Sequence, residues 1–286
     1  MPELPEVETI KTDLEKALIN VKITDLKIYL PKIIKTNLTT FKKTLKNNYF
    51  KKIKRRGKLI IISLKEKDKF LLIHLKMTGQ LIYQKKEKII AGGHNEENFE
   101  LLFPGKHTHL FFTFADNSKL YFNDLRQFGY LKLVNQQELD LILSSYGLEP
   151  LAPDFNLKKL KSLLKNKKRN IKAFLLDQKI IAGIGNIYAD EILFASKILP
   201  LRSTDTLQEE EVLRLFKNIK LILKKAVQYR GTTFNNFVDA NGQKGNFLKK
   251  LKIYQKEKEP CLKCGSKIQK EKIAGRGTRF CPLCQR

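Results

Sequence analysis

The chain begins Met1-Pro2-Glu3-Leu4-Pro5-Glu6-Val7-Glu8, and the pattern that follows makes this stretch the start of a helix fixed to the protein core. Apolar residues recur at helical spacing through residues 6–19, with charged residues on the opposite face. The members of the apolar stripe are Val7, Ile10, Leu14, Ala17 and Leu18. We therefore predict an anchored N-terminal helix with Pro2 immediately before it.

Pro2 becomes chemically interesting once the initiator methionine is removed, which a small second residue permits. Removal leaves a secondary amine, and an α-amino group titrates at about 7.7–8.0, so part of it is nucleophilic at neutral pH. Its attack on an aldehyde-like carbon gives a positively charged iminium. Glu3, beside the amine, is placed to act as general acid or base. The same residues also fit ordinary helix capping, because proline and carboxylates suit a first helical turn.

The composition indicates a polyanionic partner. The 286 residues include 56 Lys and Arg against 29 Asp and Glu, a formal charge of +27 with a pI near 9.8. Nucleic acid is the first candidate and an anionic membrane surface the second. A genome bias toward lysine explains abundant lysines but not the deficit of acids. Since no apolar run is long enough to span a bilayer and no signal pattern is present, we expect a cytoplasmic protein with no membrane partner.

The pattern changes twice along the chain. Short β-rich runs predict an antiparallel sandwich, at residues 23–29, 59–64, 70–75, 80–83, 100–103, 109–114, 119–122 and 130–134. Residues 84–98 are predicted to form a mobile loop. After Pro153 the period becomes helical and stays so until Gly231. The fold class is therefore α+β, with a β-sandwich first and helices second.

The four cysteines occur as Cys261-Leu262-Lys263-Cys264 and, sixteen residues later, Cys281-Pro282-Leu283-Cys284. Two close pairs at this spacing are typical of one tetrahedral zinc ion rather than of disulfides. Four thiolates close the coordination shell, so the zinc is expected to be structural. Between the pairs, the run Ala274-Gly275-Arg276-Gly277-Thr278 predicts a hairpin tip that presents Arg276 to phosphate.

Three further stretches suggest contacts with DNA. Lys54-Arg55-Arg56-Gly57-Lys58 gathers cations around a glycine that lets the backbone approach a phosphate, although lysines also protect edge strands. Asn123-Asp124-Leu125-Arg126-Gln127-Phe128-Gly129 places an arginine fork and an aromatic ring in one loop, groups that can pair with and stack on bases, although on these residues alone a β-turn with a buried phenylalanine is favoured. Gly183-Ile184-Gly185-Asn186 exposes N–H groups at a helix start, or forms a tight helix-helix turn.

Taken together, these motifs resemble the formamidopyrimidine-DNA glycosylases. The resemblance begins with Pro2-Glu3-Leu4-Pro5-Glu6-Val7-Glu8-Thr9, includes His74-Leu75-Lys76-Met77-Thr78-Gly79, and continues in the same order to the cysteines at the end of the chain. Lys76 stands where the family commonly has glycine. Leu125 and Gln127 also depart from the family pattern, and so does the run around Gln255 that leads into the cysteines.

The resemblance implies a role for each matched residue. The catalytic set is Pro2, Glu3 and Lys58, and the DNA-binding set is His74, Met77, Arg126, Phe128, Lys172, Asn186 and Arg276. Met77 and Phe128 would fill the gap left by a flipped base, Arg126 would read the orphaned base, and the others would grip the backbone. The zinc ligands would be Cys261, Cys264, Cys281 and Cys284. Residues 231–247 would form a flexible loop over the everted base.

The implied organisation is a β-sandwich catalytic domain over 1–135, a linker over 136–153, a helix-two-turn-helix domain over 154–250 and a zinc finger over 251–286. The implied activity is removal of oxidised purines from duplex DNA by a monomer, through a Schiff base on Pro2, followed by β,δ-elimination. One structural zinc ion is expected, and no metal is expected in the chemistry.

Two alternatives remain from the sequence. An endonuclease VIII-type enzyme would use the same proline chemistry on oxidised pyrimidines. A zinc-ribbon protein that binds nucleic acid without catalysis would need neither the Pro-Glu terminus nor Lys58.

Overall fold

The computed structural model describes residues 1–86, 88–93, 103–165, 167–232 and 246–286. They form two compact units, Met1–Ser144 with Tyr229–Leu248, and Ser145–Gln228 with Lys249–Arg286. We call these the N-terminal unit and the C-terminal unit. The predicted loop over the everted base falls largely on residues 233–245, outside the described residues.

The N-terminal unit opens with helix α1 (Leu4–Leu18). Val7 and Leu18 on its apolar stripe are fully buried in the core of this unit. The carboxylate of Glu6 accepts a hydrogen bond at 2.9 Å from the backbone N–H of Glu3, which precedes the helix. The helix starts two residues earlier than the apolar pattern predicted, so Pro2 lies very close to its first turn.

Strands make up most of the rest of this unit, and they form two antiparallel sheets among the described residues. The strands are β1 (Ile23–Ile28), β2 (Phe50–Arg56), β3 (Leu59–Leu64), β4 (Phe70–His74), β5 (Gly79–Lys85), β6 (Lys88–Gly93), β7 (Thr108–Phe114), β8 (Lys119–Asp124) and β9 (Tyr130–Val134). One sheet has the order β2-β3-β4-β9 and the other β1-β7-β8-β5-β6. Buried side chains of both sheets, such as Ile62 and Phe112, share one core with α1, as the predicted sandwich requires.

Three elements were not predicted, namely β2, β6 and helix α2 (Leu38–Leu45). Strand β2 escaped because its sequence, Phe-Lys-Lys-Ile-Lys-Arg-Arg, is mostly cationic; as the edge strand of its sheet, it needs few apolar side chains. Strand β6 lies inside the stretch predicted as a loop. The strand predicted at 100–103 falls almost wholly outside the described residues.

Helices dominate the second half. Helix α3 (Gln136–Ser144) closes the first segment of the N-terminal unit and lies in the stretch predicted as a linker. The C-terminal unit contains α4 (Leu157–Lys165), α5 (Ile171–Leu176), α6 (Asn186–Ser196), α7 (Glu209–Gln228) and a hairpin of β10 (Gln269–Ile273) and β11 (Arg276–Phe280). Phe194 of α6 packs with buried Cys261 and Cys281, which seats the cysteine module on this helix. Within the described part of the chain, no helix is both long and apolar enough to cross a bilayer.

Candidate active site and nucleic-acid interface

The N-terminal end of α1 is held by a bridging carboxylate. Pro2 and Glu3 are buried, and Met1 is 37% exposed. Besides its bond to Glu3, Glu6 accepts a 2.7 Å hydrogen bond from the backbone N–H of Thr232. Glu6 therefore connects Glu3, the residue next to Pro2, with Thr232, the last described residue before 233–245. Sequence patterns gave no sign of this contact, which spans 226 positions.

Lys58 lies in the turn between β2 and β3, where Gly57 adopts a φ of +57° that favours glycine. Arg55 links this turn to α1. Its Nε lies 2.8 Å from a carboxylate oxygen of Glu8, and its Nη1 donates to the carbonyl of Gly57 at 2.9 Å. Lys58 is itself largely buried. The turn that carries Lys58 is therefore fixed to the first half of α1.

His74 is a neutral donor at the end of β4. Its pKa is lowered to about 3, first by burial and then by the charges of Lys76 and Lys58. The backbone N–H of Lys76 donates to Nδ1 at 3.0 Å, so the proton of the neutral ring sits on Nε2. Leu59, the neighbour of Lys58, pairs with His74 across the sheet. The structure thus brings Lys58 and His74 close together.

The loop after His74 carries the half-buried Met77. Lys76 adopts a φ of +50°, so this chain keeps the left-handed backbone that a glycine would adopt without strain. Gly79 closes the loop, with its N–H bonded to the carbonyl of Leu75 at 2.9 Å. A Cβ at Gly79 would lie 2.4 Å from that carbonyl oxygen, so only glycine fits. The substitution at Lys76 leaves the loop conformation intact.

The loop that carries Arg126 and Phe128 is organised by Asp124, which is completely buried at the end of β8. The carboxylate accepts hydrogen bonds from the backbone N–H groups of Gly129 at 2.6 Å and Arg126 at 3.2 Å. It also accepts the hydroxyl of Thr78, and Thr78 in turn accepts from Arg126 N–H at 2.9 Å. One carboxylate therefore holds both loops, a role that the sequence analysis did not assign to Asp124.

Arg126 and Phe128 are exposed side by side. The guanidinium lies 4.9 Å from the ring centroid, and 54% of Phe128 is accessible to solvent. An exposed phenylalanine on a fixed loop rules out the alternative of a buried turn residue. The pair has the exposure that base stacking and base pairing need.

Asn186 and the hairpin tip that carries Arg276 lie close together in the C-terminal unit. Asn186 is the first residue of α6, and its Nδ2 donates to the carbonyl of Gly277 at 3.0 Å. Ala274 and Gly275 form the two-residue turn between β10 and β11, both with positive φ, and the exposed Arg276 follows at the tip. The helix start and the hairpin tip are therefore adjacent, which fits one phosphate-binding surface.

Lys172, on α5, lies in the interior of the C-terminal unit. It is fully buried, with Nζ 2.5 Å from Oδ1 of Asp190 and 2.7 Å from the hydroxyl of Thr278. Asp190 also accepts the backbone N–H of Arg279 at 3.1 Å, and burial raises its pKa to about 6 despite the nearby Lys172. In this arrangement the ammonium joins α5 and α6 to β11, and contact between Lys172 and DNA stays a prediction.

The four cysteines converge on one point. Their sulfur atoms all lie within 4.8 Å of one another, with Cys261 to Cys284 at 3.9 Å and Cys264 to Cys281 at 3.5 Å. Tetrahedral zinc with Zn–S bonds of about 2.3 Å places sulfurs roughly 3.8 Å apart, so the spacing fits the ion. Backbone N–H groups approach the sulfurs of Cys261 and Cys281 at 3.5 and 3.4 Å, as a thiolate site requires.

Three family models cover this chain. They are the formamidopyrimidine-DNA glycosylase N-terminal domain over residues 1–131, the H2TH domain of the same enzymes over 146–238, and the zinc finger found in FPG and IleRS over 258–286. The chain belongs to the formamidopyrimidine-DNA glycosylase family. Members of this family are DNA glycosylases with AP lyase activity. The zinc-finger match and the cysteine cluster together show a module suited to one metal ion.

Individual relatives agree over the full length. The formamidopyrimidine-DNA glycosylase of Pelotomaculum thermopropionicum is 41% identical over 289 residues, covering 100% of this chain and 99% of that protein. The wild-type Lactococcus lactis Fpg (MutM) in complex with DNA containing N7-benzyl-Fapy-dG aligns with a TM-score of 0.86 and 34% identity over 100% of both chains. A complex of the same bacterium's Fpg with abasic-site DNA gives 0.87 and 34% over 99% of both chains.

Proposed function

We propose that this glycosylase excises oxidised purines, 8-oxoguanine and formamidopyrimidines, from duplex DNA and then cuts the strand, using Pro2 as its nucleophile. The observation that carries the proposal is a continuous series of contacts in the N-terminal unit. It runs from α1 through Arg55 to the Lys58 turn, on to His74, and then through Thr78 and Asp124 to the loop of Arg126. The turn of Lys58, the loop of Met77 and the loop of Arg126 are thereby connected to one framework that includes α1.

DNA binding is proposed to involve groups on this framework and on the C-terminal unit. Lys58, His74, Asn186 and Arg276 are proposed to hold phosphates. The damaged nucleotide has to leave the stack, because no side chain reaches its sugar carbon inside the duplex. Met77, Arg126 and Phe128 are proposed to fill the gap, which offsets part of the unstacking cost of a few kcal/mol.

The chemistry is proposed to begin with the Pro2 amine, after removal of Met1. The nitrogen lone pair forms a bond to C1′ of the sugar, the bond from C1′ to the base breaks, and the base leaves with that electron pair and a proton. Glu3 is proposed to move protons in this step. The proline nitrogen then loses its proton, its lone pair forms the C1′=N⁺ iminium as the C1′–O4′ bond breaks, and O4′ leaves with that electron pair and takes up a proton. The iminium accepts electron density from the sugar, so loss of a C2′ proton expels the 3′ phosphate, and loss of a further sugar proton in a second elimination expels the 5′ phosphate.

The zinc finger is proposed to support this reaction structurally. Cys261, Cys264, Cys281 and Cys284 would hold one Zn²⁺, and four sulfurs leave no position for a reacting water. The ion would then keep β10 and β11 folded, with Arg276 at the tip. We also propose that the enzyme is a monomer in the bacterial cytoplasm, acting on nucleoid DNA. Light scattering after size exclusion, with and without a lesion duplex, tests the monomer.

Borohydride trapping tests the function directly. Purified protein is incubated with a duplex that carries one 8-oxoguanine opposite cytosine, reduced with borohydride and mapped by peptide mass spectrometry. We expect a covalent adduct on Pro2, which also establishes that Met1 has been removed. Pro2→Gly should lose the Pro2 adduct, whereas Pro5→Ala, a matched change three residues on, should retain it.

The alternatives give different outcomes. An adduct that forms only on duplexes with oxidised pyrimidines would contradict the proposed action on oxidised purines and would indicate an endonuclease VIII-type enzyme. No adduct on any lesion, from protein that lacks Met1 and contains zinc, would leave a binding protein without catalysis.

A further inference from the structure

A cluster of lysines lies in the N-terminal unit, away from every residue assigned above. Lys43 and Lys46 come from the end of α2, and Lys65 and Lys69 from the turn between β3 and β4. The four lysines line one open cleft of about 570 Å³. Its other lining residues are Thr44, Asn47, Asn48 and Glu66. We call this the four-lysine cleft.

The floor of the four-lysine cleft is fixed by Asn48, which is 8% exposed. Its side-chain oxygen accepts the backbone N–H groups of Tyr49 at 2.8 Å and Lys65 at 3.0 Å, and its Nδ2 donates to the carbonyl of Thr44 at 3.0 Å. These bonds join the end of α2 to the end of β3. The lysines therefore surround a preformed concavity rather than a flexible surface.

Glu66, which also lines the cleft, offsets only part of the charge of the four lysines. None of the four lysines forms an ion pair with any residue that the structure describes. Residues 35–69 contain 13 lysines and arginines against two acidic residues. Like charges around a concavity repel one another and concentrate anions there.

A helix C-terminus attracts lysines without any ligand, and this accounts for Lys43 and Lys46. It does not account for Lys65 and Lys69, which come from a different element and face the same space. The convergence of two elements is what points to an anionic partner.

The position of the cleft identifies which part of the DNA it can reach. Ile19, directly after α1, bridges to Phe50 at the start of β2, next to Tyr49 and Asn48. Pro2 lies at the other end of α1, a helix of 15 residues and thus about 22 Å long. At about 3.4 Å per base pair, this separation corresponds to roughly six base pairs.

We infer that the four-lysine cleft is a second DNA-binding site, which takes phosphodiester groups of the backbone roughly six base pairs from the lesion or those of a second duplex. The inference goes beyond the proposed function, because no residue proposed to take part in excision lines the cleft. The ligand chemistry is the same for both sources of phosphate, and duplex length distinguishes them.

The test measures affinity against salt concentration, on duplexes of 12 and 30 base pairs with a central reduced abasic site, which has no aldehyde carbon to trap the enzyme. The variant carries Lys43→Ser, Lys46→Ser, Lys65→Ser and Lys69→Ser. One control replaces four lysines of α7 by serine, namely Lys217, Lys220, Lys224 and Lys225. A second control replaces the four cleft lysines by arginine and retains the charge.

If the cleft binds the same duplex, the serine variant should bind the 30-base-pair duplex with a log–log salt slope shallower by about 2–4, since each lost phosphate contact contributes about 0.9. The change on the 12-base-pair duplex, which ends at about the distance of the cleft, should be smaller than on the 30-base-pair duplex, and the arginine variant should match the wild type. If the cleft binds a second duplex, both slopes should stay as in the wild type, but capture of a second labelled duplex by the preformed complex should be lost.

The inference is overturned if the serine variant matches the α7 control in both measurements. Excision of 8-oxoguanine from the 12-base-pair duplex is followed in parallel and should stay within about twofold of the wild type. Loss of that excision in the wild type would reject the proposed function and leave the salt-slope result interpretable on its own.

Discussion

The buried carboxylate of Asp124 accepts the backbone N–H of Gly129 at 2.6 Å and the hydroxyl of Thr78, so it joins the loop of Met77 to the loop of Arg126. Asp124→Ala would leave these donors buried without an acceptor, at about 1–3 kcal/mol for each group. We expect slower excision of 8-oxoguanine, where a stacked base must be evicted, and a smaller loss on a preformed abasic site. Single-turnover rates on the two substrates measure this.

Asp116→Ala is the matched control for Asp124→Ala. Asp116 lies in the turn between β7 and β8, where it pairs with the exposed Lys85 at 2.7 Å. Surface pairs of this kind contribute about 0–1 kcal/mol, so both rates should stay near wild type. Equal losses in the two variants would contradict a positioning role for Asp124.

The positive φ of Lys76 predicts that Lys76→Gly stabilises the protein. A non-glycine residue in the left-handed region costs roughly 1–2 kcal/mol, while the contact of Lys76 with the ring of Tyr130, at 5.7 Å, is worth about 0.5–1. The difference is a net gain of between about 0 and 1.5 kcal/mol, measured by thermal unfolding. Lys46→Gly, at a residue with φ of −64°, should instead leave stability unchanged or lower it.

Sequence patterns predicted the elements of the fold that depend on residues near one another in the chain. The apolar stripe of α1, the alternating strands and the cysteine spacing each report on neighbours in sequence. The Lys172 contacts depend on partners 18 and 106 positions away, so nothing near Lys172 distinguishes a buried ion-paired lysine from an exposed one. Lysine is seldom buried unless it is paired, and for this reason exposure was the natural expectation.

The candidate active site could likewise be predicted only in part. The resemblance identified the loops of Met77 and Arg126, but it did not identify what fixes them, because the bond from Thr78 to Asp124 spans 46 positions. Glu6 and Thr232 are a second example, since neither residue's neighbours carry any trace of the other. Side chains that hold a loop from a distance are recognised only when the chain is folded.

The buried pair of Lys172 and Asp190 predicts a strong asymmetry between single and double substitutions. Lys172→Met leaves the Asp190 carboxylate buried and unpaired, which we expect to destabilise the C-terminal unit by about 3–5 kcal/mol. Lys172→Met with Asp190→Leu removes both charges and should recover most of that loss. Urea unfolding of the two variants measures the difference, and equal destabilisation would contradict the pairing.

Zinc removal should affect DNA binding through the finger. Cys264→Ser is expected to lower the zinc content, measured by elemental analysis, from one ion per chain toward zero and to weaken binding to a lesion duplex. Ser266→Ala is the matched control, because the Ser266 hydroxyl lies 3.1 Å from the sulfurs of Cys264 and Cys281 without being a thiolate ligand. A Cys264→Ser protein with full zinc would contradict the four-cysteine assignment.

The low pKa of His74 predicts a defined dependence of stability on pH. The folded value of about 3 lies below the ordinary 6.5, so the unfolded chain takes up the proton first. The stabilisation is complete above pH 6.5 and is lost progressively as the pH falls toward 3. Between pH 7 and 5 the loss is about 2 kcal/mol, and His74→Gln, which cannot titrate, should reduce the dependence of stability on pH by that amount.

Because the His74 ring stays neutral, its Nε2–H remains a donor to phosphate from pH 8 to 6. An NMR titration of the ring in free protein should show no inflection above pH 5, and an inflection near 6.5 would contradict this account.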